Sequence, residues 1–367
     1  MDAQLADVSL PSRLADQDEG ISQEELALAA RNHGIMLEAL RYDVTPIGLH
    51  YLLTHYDMPA LDPATWRLAV TGAVSRRLEL TLDELRSRPA RTVRVTMECA
   101  GNGRARMHPR PISQPWLVEA VGTAEWTGVP LRDVLESAGV RPSAAEVVFT
   151  GADHGVERGV EQDYQRGLPL DEALGEEVLL AYEMNGQPLP PQHGHPVRLV
   201  VPGWYGMTNV KWLQEISVVE EPFRGFQHRA YRYRQSPDDP GEPATRMVPR
   251  SLIEPPGFPD FMSRARVVRP GELELRGRAW SGHAPIDRVE VSTDGGRNWA
   301  EAELDADRPR WSWRGWRSRW RAEPGSHVLA ARATDADGNV QPTGQSWNRG
   351  GFGNNLVHTV PVSCIPE

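Results

Sequence analysis

One proline-rich stretch rules out a single uninterrupted fold. Ser236-Pro237-Asp238-Asp239-Pro240-Gly241-Glu242-Pro243 is followed by Pro249, Pro255, Pro256 and Pro259. Proline lacks the amide hydrogen that a helix interior or a central strand needs. The chain is therefore expected to form two bodies joined by a linker over 236–255. Its 367 residues suffice for two domains of ordinary size. With 33 Gly and 31 Pro, strands and structured loops are favoured over long helices.

Before the prolines, residues 1–40 read as an acidic extension. Met1 to Glu25 carries seven acids against Arg13, and Gln23–Arg31 has helical composition with a stop at Asn32-His33-Gly34. Over 41–235, strand, turn and strand follow one another from Thr65 to Leu82, and Thr81 to Glu84 reads as the capped start of a helix over Leu82–Arg88. Val93, Val95 and Met97 alternate with polar residues, which predicts a strand over Thr92–Glu98. A helix is expected at Leu131–Ser137, ended by Gly139, and strands at Val147–Phe149, Val178–Met184, Val197–Val201 and Lys211–Val219. Helices and strands mix without a βαβ rhythm, which predicts the α+β class. Residues 256–367 show short strands separated by Gly/Asp turns, and seven of the twelve Trp. That pattern predicts an immunoglobulin-like β-sandwich.

Composition excludes several classes. A formal net charge of −10 argues against non-specific nucleic-acid binding. No run approaches the roughly 18 to 20 apolar residues of a membrane span. The first 25 residues lack a basic region, an apolar core and a twin arginine. The expected compartment is the cytoplasm, or the periplasm for a chain whose signal has been removed. Two cysteines, Cys99 and Cys364, exclude a disulfide framework, an iron–sulfur cluster and a four-cysteine zinc site. No C-x-x-C-H occurs, so no haem is expected in this chain.

Cys99 is the first candidate for chemistry. A lone cysteine is ordinarily a small buried apolar residue. This one follows a strand, in the Gly-rich loop Cys99-Ala100-Gly101-Asn102-Gly103-Arg104, with Arg94, Arg104 and Arg106 close in sequence. Cations favour the thiolate, which is the nucleophilic and metal-binding form. His193-Gly194-His195-Pro196-Val197-Arg198 places imidazole beside a guanidinium, a pairing suited to an anion or to a polar surface loop. Gly206-Met207-Thr208-Asn209-Val210-Lys211-Trp212 allows close backbone approach to an anion and contains the only lysine among 40 basic residues. The run Arg229, Tyr231, Arg232, Tyr233 and Arg234 reads as an interface strip. Asp335-x-Asp337-Gly338-Asn339 has the wrong spacing for a calcium loop and reads as a turn.

Together these segments resemble the sulfite oxidase family of molybdenum enzymes, over about Tyr51 to Val362. Three pieces carry the likeness. They are Thr96 to Arg104; Val178 to Gly186, running on through His193, Arg198 and Lys211-Trp212; and Arg278 to Gly282 with Val289 to Gly296. The resemblance implies a mixed α/β molybdopterin-binding catalytic domain over 41–235 and a dimerisation sandwich over 256–367. It implies that Cys99 binds molybdenum, and that Tyr51, Leu52, Leu53, Thr54, His55, Asp153, His193, Arg198, Asn209, Val210 and Lys211 hold the pterin. Arg104 and Tyr231 would position the substrate. The implied reaction oxidises sulfite to sulfate by oxygen-atom transfer, in a homodimer, with electrons passed to a separate acceptor, a cytochrome or oxygen. One position departs from the family: Leu53 stands where an arginine is expected. The competing readings are a relative that reduces an S-oxide or N-oxide, a zinc hydrolase using Cys99, His193 and His195, and a non-catalytic binding module built on Trp311, Trp313, Trp316 and Trp320. An arginine such as Arg106 or Arg232 is a candidate to replace the missing charge.

Overall fold

Thr81 and Glu84 exchange hydrogen bonds that close the first turn of helix Leu82–Arg86, the Glu84 amide to the Thr81 hydroxyl at 3.1 Å and the Thr81 amide to the Glu84 carboxylate at 2.7 Å. The predicted helix further on is Leu131–Ala138. It stops where Gly139 takes a left-handed φ of 70°, which favours glycine. The structure is a computed structural model that describes residues 4–10, 12–307 and 310–366.

Among the described residues the first body is built on β1 Leu68–Gly72, β2 Leu78–Leu80, β3 Arg91–Glu98, β4 Val121–Pro130, β5 Glu146–Glu157, β6 Val160–Pro169, β7 Leu179–Met184, β8 Gln187–Pro188, β9 Arg198–Val200 and β10 Leu213–Val219. One sheet runs β2-β1-β10-β5-β6, with β1 and β10 parallel; the other runs β3-β4-β7-β8, with β9 also on β7. Leu68, Val70, Phe149 and Ile216 from the first sheet share one buried cluster with Val129, Leu180 and Leu199 from the second and Leu131, Val134 and Leu135 of the helix. Truncating a side chain such as Leu135 there costs about 2–5 kcal/mol. The α+β reading holds.

The second body is a sandwich of a four-stranded sheet (Arg250–Ile253, Gly271–Trp280, Arg314–Ala322, Glu303–Leu304) and a six-stranded sheet that includes Ile286–Ser292, Gly325–Asp335 and His358–Cys364. Leu275, Trp316 and Trp320 meet Val289, Val291, Leu329, Val360 and Val362 between the sheets. Of the four tryptophans of the binding-module reading, Trp313, Trp316 and Trp320 are buried and Trp311 is half-buried, so they do not form an open aromatic surface. Even spacing in a strand sends Trp316 and Trp320 to the same, inward face.

Two expected boundaries shift. Arg250–Ile253 is wholly buried and pairs with Gly277–Trp280, so the sandwich begins inside the stretch expected to be a linker over 236–255. Ala244 and Met247 are buried there too. The extension over 1–40 folds back on the body: Glu25 is buried in an ion pair with Arg110 at 3.0 Å, and Ile35, Ala39 and Leu40 join a core cluster with Trp280 and Trp313.

Candidate active site

β3 delivers Val95, Met97 and Glu98 into the interior and ends at Glu98, so Cys99 is the first residue beyond it. The loop that follows is fixed atom by atom. The Cys99 amide donates to the Ala120 carbonyl at 2.9 Å, and the Asn102 amide donates back to the Cys99 carbonyl at 2.9 Å. Gly103 has φ 92°, and a Cβ there would stand 2.6 Å from the Asn354 carbonyl oxygen. Glu98 is buried and pairs with Arg250 at 2.7 Å. Asn102 donates to that same carboxylate oxygen at 3.0 Å, and the other oxygen accepts the Trp280 indole N–H at 2.8 Å. Removing one partner of such a pair costs about 3–5 kcal/mol, because the other charge stays buried. The loop therefore has its seat in the sandwich.

Cys99 is 7% exposed, and burial pushes its thiol up, with Arg104 acting in the opposite sense. Arg94, expected beside it, is instead bound to Glu125 at 2.8 Å. Arg106 lies among the charges of Arg250 and Glu119. The thiol keeps its proton until a soft cation displaces it.

Cys99 opens on a cavity with an empty volume of about 630 Å³. Ten of the candidate residues line it: Tyr51, Leu52, Leu53, His55, Cys99, Asp153, His193, Arg198, Asn209 and Lys211. Thr54 lies behind the wall, where its hydroxyl accepts from Lys211 at 3.4 Å. Val210 is core, and its backbone carbonyl receives the Leu199 amide at 2.8 Å. Tyr231 is off the wall but reaches it through His55, and Arg104 donates to the Gly350 carbonyl at 3.0 Å and the Gln114 carbonyl at 3.2 Å. Arg232 is turned away to the Pro240 and Gly241 carbonyls, at 2.7 Å each. His195 is not in the wall, and among the described residues no three His, Cys, Asp or Glu side chains form a metal-binding group. The zinc reading therefore has no ligand set.

The cavity is cationic. Arg198 donates to the His193 carbonyl at 3.0 Å and the Asn209 carbonyl at 3.1 Å, with its guanidinium 4.7 Å from the Trp126 ring centre. The Lys211 ammonium is held by the carbonyls of Leu53 at 2.9 Å and Gln192 at 3.0 Å. Lys211 opens to the cavity yet is surrounded by protein, and that burial, then Arg198, lowers its pKa to about 7. Burial lowers Arg198 to about 10 and raises Asp153 to about 6. The imidazoles stay neutral: burial lowers His50 and His55 to about 4 each and His193 to about 2. Asp153 Oδ1 and His50 Nε2 are buried with no hydrogen-bond partner among the described residues.

Sequence reasoning missed three residues here. His50 packs edge-on against His193, with ring centres 5.5 Å apart. Tyr164 stands 4.9 Å from the His55 ring and donates to the Met207 carbonyl at 2.7 Å. Arg166 lies over the Tyr231 ring at 5.7 Å. Tyr164 and Arg166 sit on β6, whose polar sequence gave no strand signal.

Residues 55–227 match the oxidoreductase molybdopterin binding domain family, and residues 249–365 match the Mo-co oxidoreductase dimerisation domain family. The chain is 38% identical over 347 residues to the mitochondrial sulfite oxidase of Mus musculus, covering 88% of this chain and 62% of that protein. It is 37% identical to the sulfite oxidase of Gallus gallus, over 83% of this chain and 70% of the relative. To nitrate reductase [NADH] 1 of Oryza sativa subsp. japonica it is 33% identical, over 88% of this chain and 39% of that one. The sulfane dehydrogenase SoxCD of Paracoccus pantotrophus has the same fold, with a TM-score of 0.78 at 24% identity over 100% of this chain and 98% of the other. No helix among the described residues is long and apolar enough to cross a membrane. The chain belongs to the sulfite oxidase family of molybdopterin-binding oxidoreductases.

Proposed function

We propose that this chain is a molybdenum oxidoreductase that converts sulfite and water to sulfate, two protons and two electrons, the electrons leaving to a separate acceptor. The observation that carries the reading is the convergence on one cavity of the Cys99 thiol with Arg198 and Lys211, whose donors meet carbonyl oxygens rather than a carboxylate.

The residues suit the cofactor. A soft thiolate is the protein ligand a molybdenum–dithiolene centre takes. Arg198 and Lys211 would hold its phosphate by charge-assisted hydrogen bonds. Asp153 Oδ1 and His50 Nε2, buried without partners among the described residues, are free to meet the polar edge of a pterin. Gly206 leaves room at the wall, since a Cβ there would stand 2.3 Å from the Tyr51 hydroxyl. Bound there, the cofactor supplies two-electron oxygen-atom transfer. The chain's own part is placement. Tyr51, Leu52, Leu53, His55, His193 and Asn209 would form the cradle, with Thr54 and Val210 supporting it from behind. Arg104 and Tyr231 steady the substrate oxyanion beside Cys99, and Tyr231, its pKa raised by burial, keeps a proton to donate.

The test is molybdenum content together with sulfite oxidation against ferricyanide. Molybdenum near one per chain with sulfite turnover supports the reading, and metal-free protein overturns it. A second reading, reduction of an S-oxide or N-oxide, is favoured by Leu53, an apolar side chain on the cavity wall where the family pattern has arginine. Turnover of such an oxide with a reduced dye, without sulfite oxidation, selects it. Dimerisation through the sandwich is also proposed, and a sedimentation coefficient of two chains supports it.

A further inference from the structure

We propose that Arg166 is a substrate-binding residue that holds the oxyanion beside Tyr231 and supplies the positive charge that Leu53 does not. The inference rests on the anionic-substrate reading above. Four observations carry it.

First, β6 presents Tyr164, Arg166 and Leu168 to the interior in strict alternation, so Arg166 shares a face with Tyr164, which lines the cavity. Second, its guanidinium lies 5.7 Å from the centre of the Tyr231 ring, and Tyr231 Oη is 2.8 Å from His55 Nε2 on the cavity wall. Third, Arg166 is 5% exposed, yet its Nε has no hydrogen-bond partner among the described residues. A buried guanidinium donor left open is costly, and an arriving anion removes that cost. Fourth, among the described residues no carboxylate forms a hydrogen bond that cancels the charge at close range. One Nη donates to the Gln227 carbonyl at 3.0 Å. Glu146 is the carboxylate that offsets its burial, and an oxygen of Glu146 already accepts the Phe223 amide at 2.9 Å. Arg106 and Arg232, the sequence candidates for this role, are engaged elsewhere.

The test uses the cofactor-loaded protein and inorganic sulfate as probe, with equilibrium binding by calorimetry, sulfite kinetics and a thermal melt for each variant. Arg166→Met is expected to weaken sulfate binding by about 10- to 100-fold and to raise KM for sulfite more than it lowers kcat. Arg166→Lys should recover part of the loss, and so should Leu53→Arg added to Arg166→Met. A purely structural role for Arg166 would give neither rescue. Unchanged sulfate affinity in folded Arg166→Met overturns the proposal. Leu53→Arg alone tests it without touching Arg166: a change under twofold fits a space already served, and a tenfold gain in sulfate affinity overturns it. Wild type that turns over no sulfite but binds sulfate through Arg166 supports the proposal and sinks the sulfite reading alone. Wild type that binds neither anion overturns it.

Discussion

His55 Nε2 and the Tyr231 hydroxyl stand 2.8 Å apart, although 176 residues separate them in the chain. Burial keeps both uncharged, lowering the histidine to about 4 and raising the tyrosine. A neutral imidazole and a neutral phenol hold one proton each, and one hydrogen bond joins them. Either tautomer therefore leaves one donor free. Tyr231→Phe should lower kcat/KM for sulfite by about 10- to 100-fold with the fold retained, the loss expected for one hydrogen bond to an ion. Stopped-flow kinetics beside circular dichroism checks this, and a change under twofold removes Tyr231 from the site.

Cys99→Ser should fold as wild type and lose its oxygen-transfer activity. Serine matches the shape, but a neutral hydroxyl does not replace a soft thiolate. Metal analysis and single-turnover reduction measure the effect. Full activity would show that another ligand holds the metal.

Lys211→Met should purify with less pterin. The ammonium is preset by the carbonyls of Leu53 and Gln192, so little ordering remains to be done when a phosphate arrives. Losing one such bond weakens anion binding by about 10- to 100-fold. Fluorescence of the released pterin per chain gives the answer, and wild-type content in Lys211→Met contradicts the assignment.

Cys364 is 2% exposed in the sandwich core. Cys364→Ser would bury a hydroxyl there, at a cost of about 1–3 kcal/mol without a partner. The melting temperature should fall while activity per folded molecule stays constant.

Acid should destabilise the protein through its buried imidazoles. Burial lowers His358 to about 3, with Arg106 and Arg250 adding to the effect, and lowers His50 and His55 to about 4. Each is kept neutral in the fold but takes a proton when unfolded, at an ordinary pKa of 6.5. Their contribution is complete above pH 6.5 and is lost as pH falls from there toward 3. The slope is at most about 1.4 kcal/mol per pH unit for each histidine. Thermal melts between pH 7 and 4 read the total, and His358→Asn should flatten the slope by one proton. An unchanged slope rejects this cause.

What sequence revealed depended on whether one face of an element meets water. β3 alternates from Val93 to Met97 and was visible, as were the Thr81–Glu84 cap and the Gly139 stop. β4 is buried along most of its length, so it shows no alternation and gave no signal. β6 carries Glu161, Gln162, Asp163 and Gln165, and an inward arginine in such company reads as surface. That concealed Arg166. The candidate residues from Tyr51 to Lys211 converge largely on one cavity, but the resemblance named them; spacing alone left His193 and Lys211 open to a surface reading. Proline content read 236–255 as a linker and did not reveal that Ala244, Met247 and Arg250–Ile253 lie buried there.

The Cys99 loop gets its last supports from far along the chain. Asn354 donates to the Gly103 carbonyl at 2.8 Å across 251 residues, and the Gly353 amide donates to the Ala100 carbonyl at 2.8 Å. A ribosome adding about 5–20 residues per second needs roughly 12 to 50 seconds to cover that distance. During that interval the newborn thiol sits on an unfinished loop, with Glu98 still waiting for Arg250 and Trp280. Cofactor uptake at Cys99 is therefore expected only once Gly353 and Asn354 have joined the loop, and a ribosome-stalled chain ending before Gly353 should accept none.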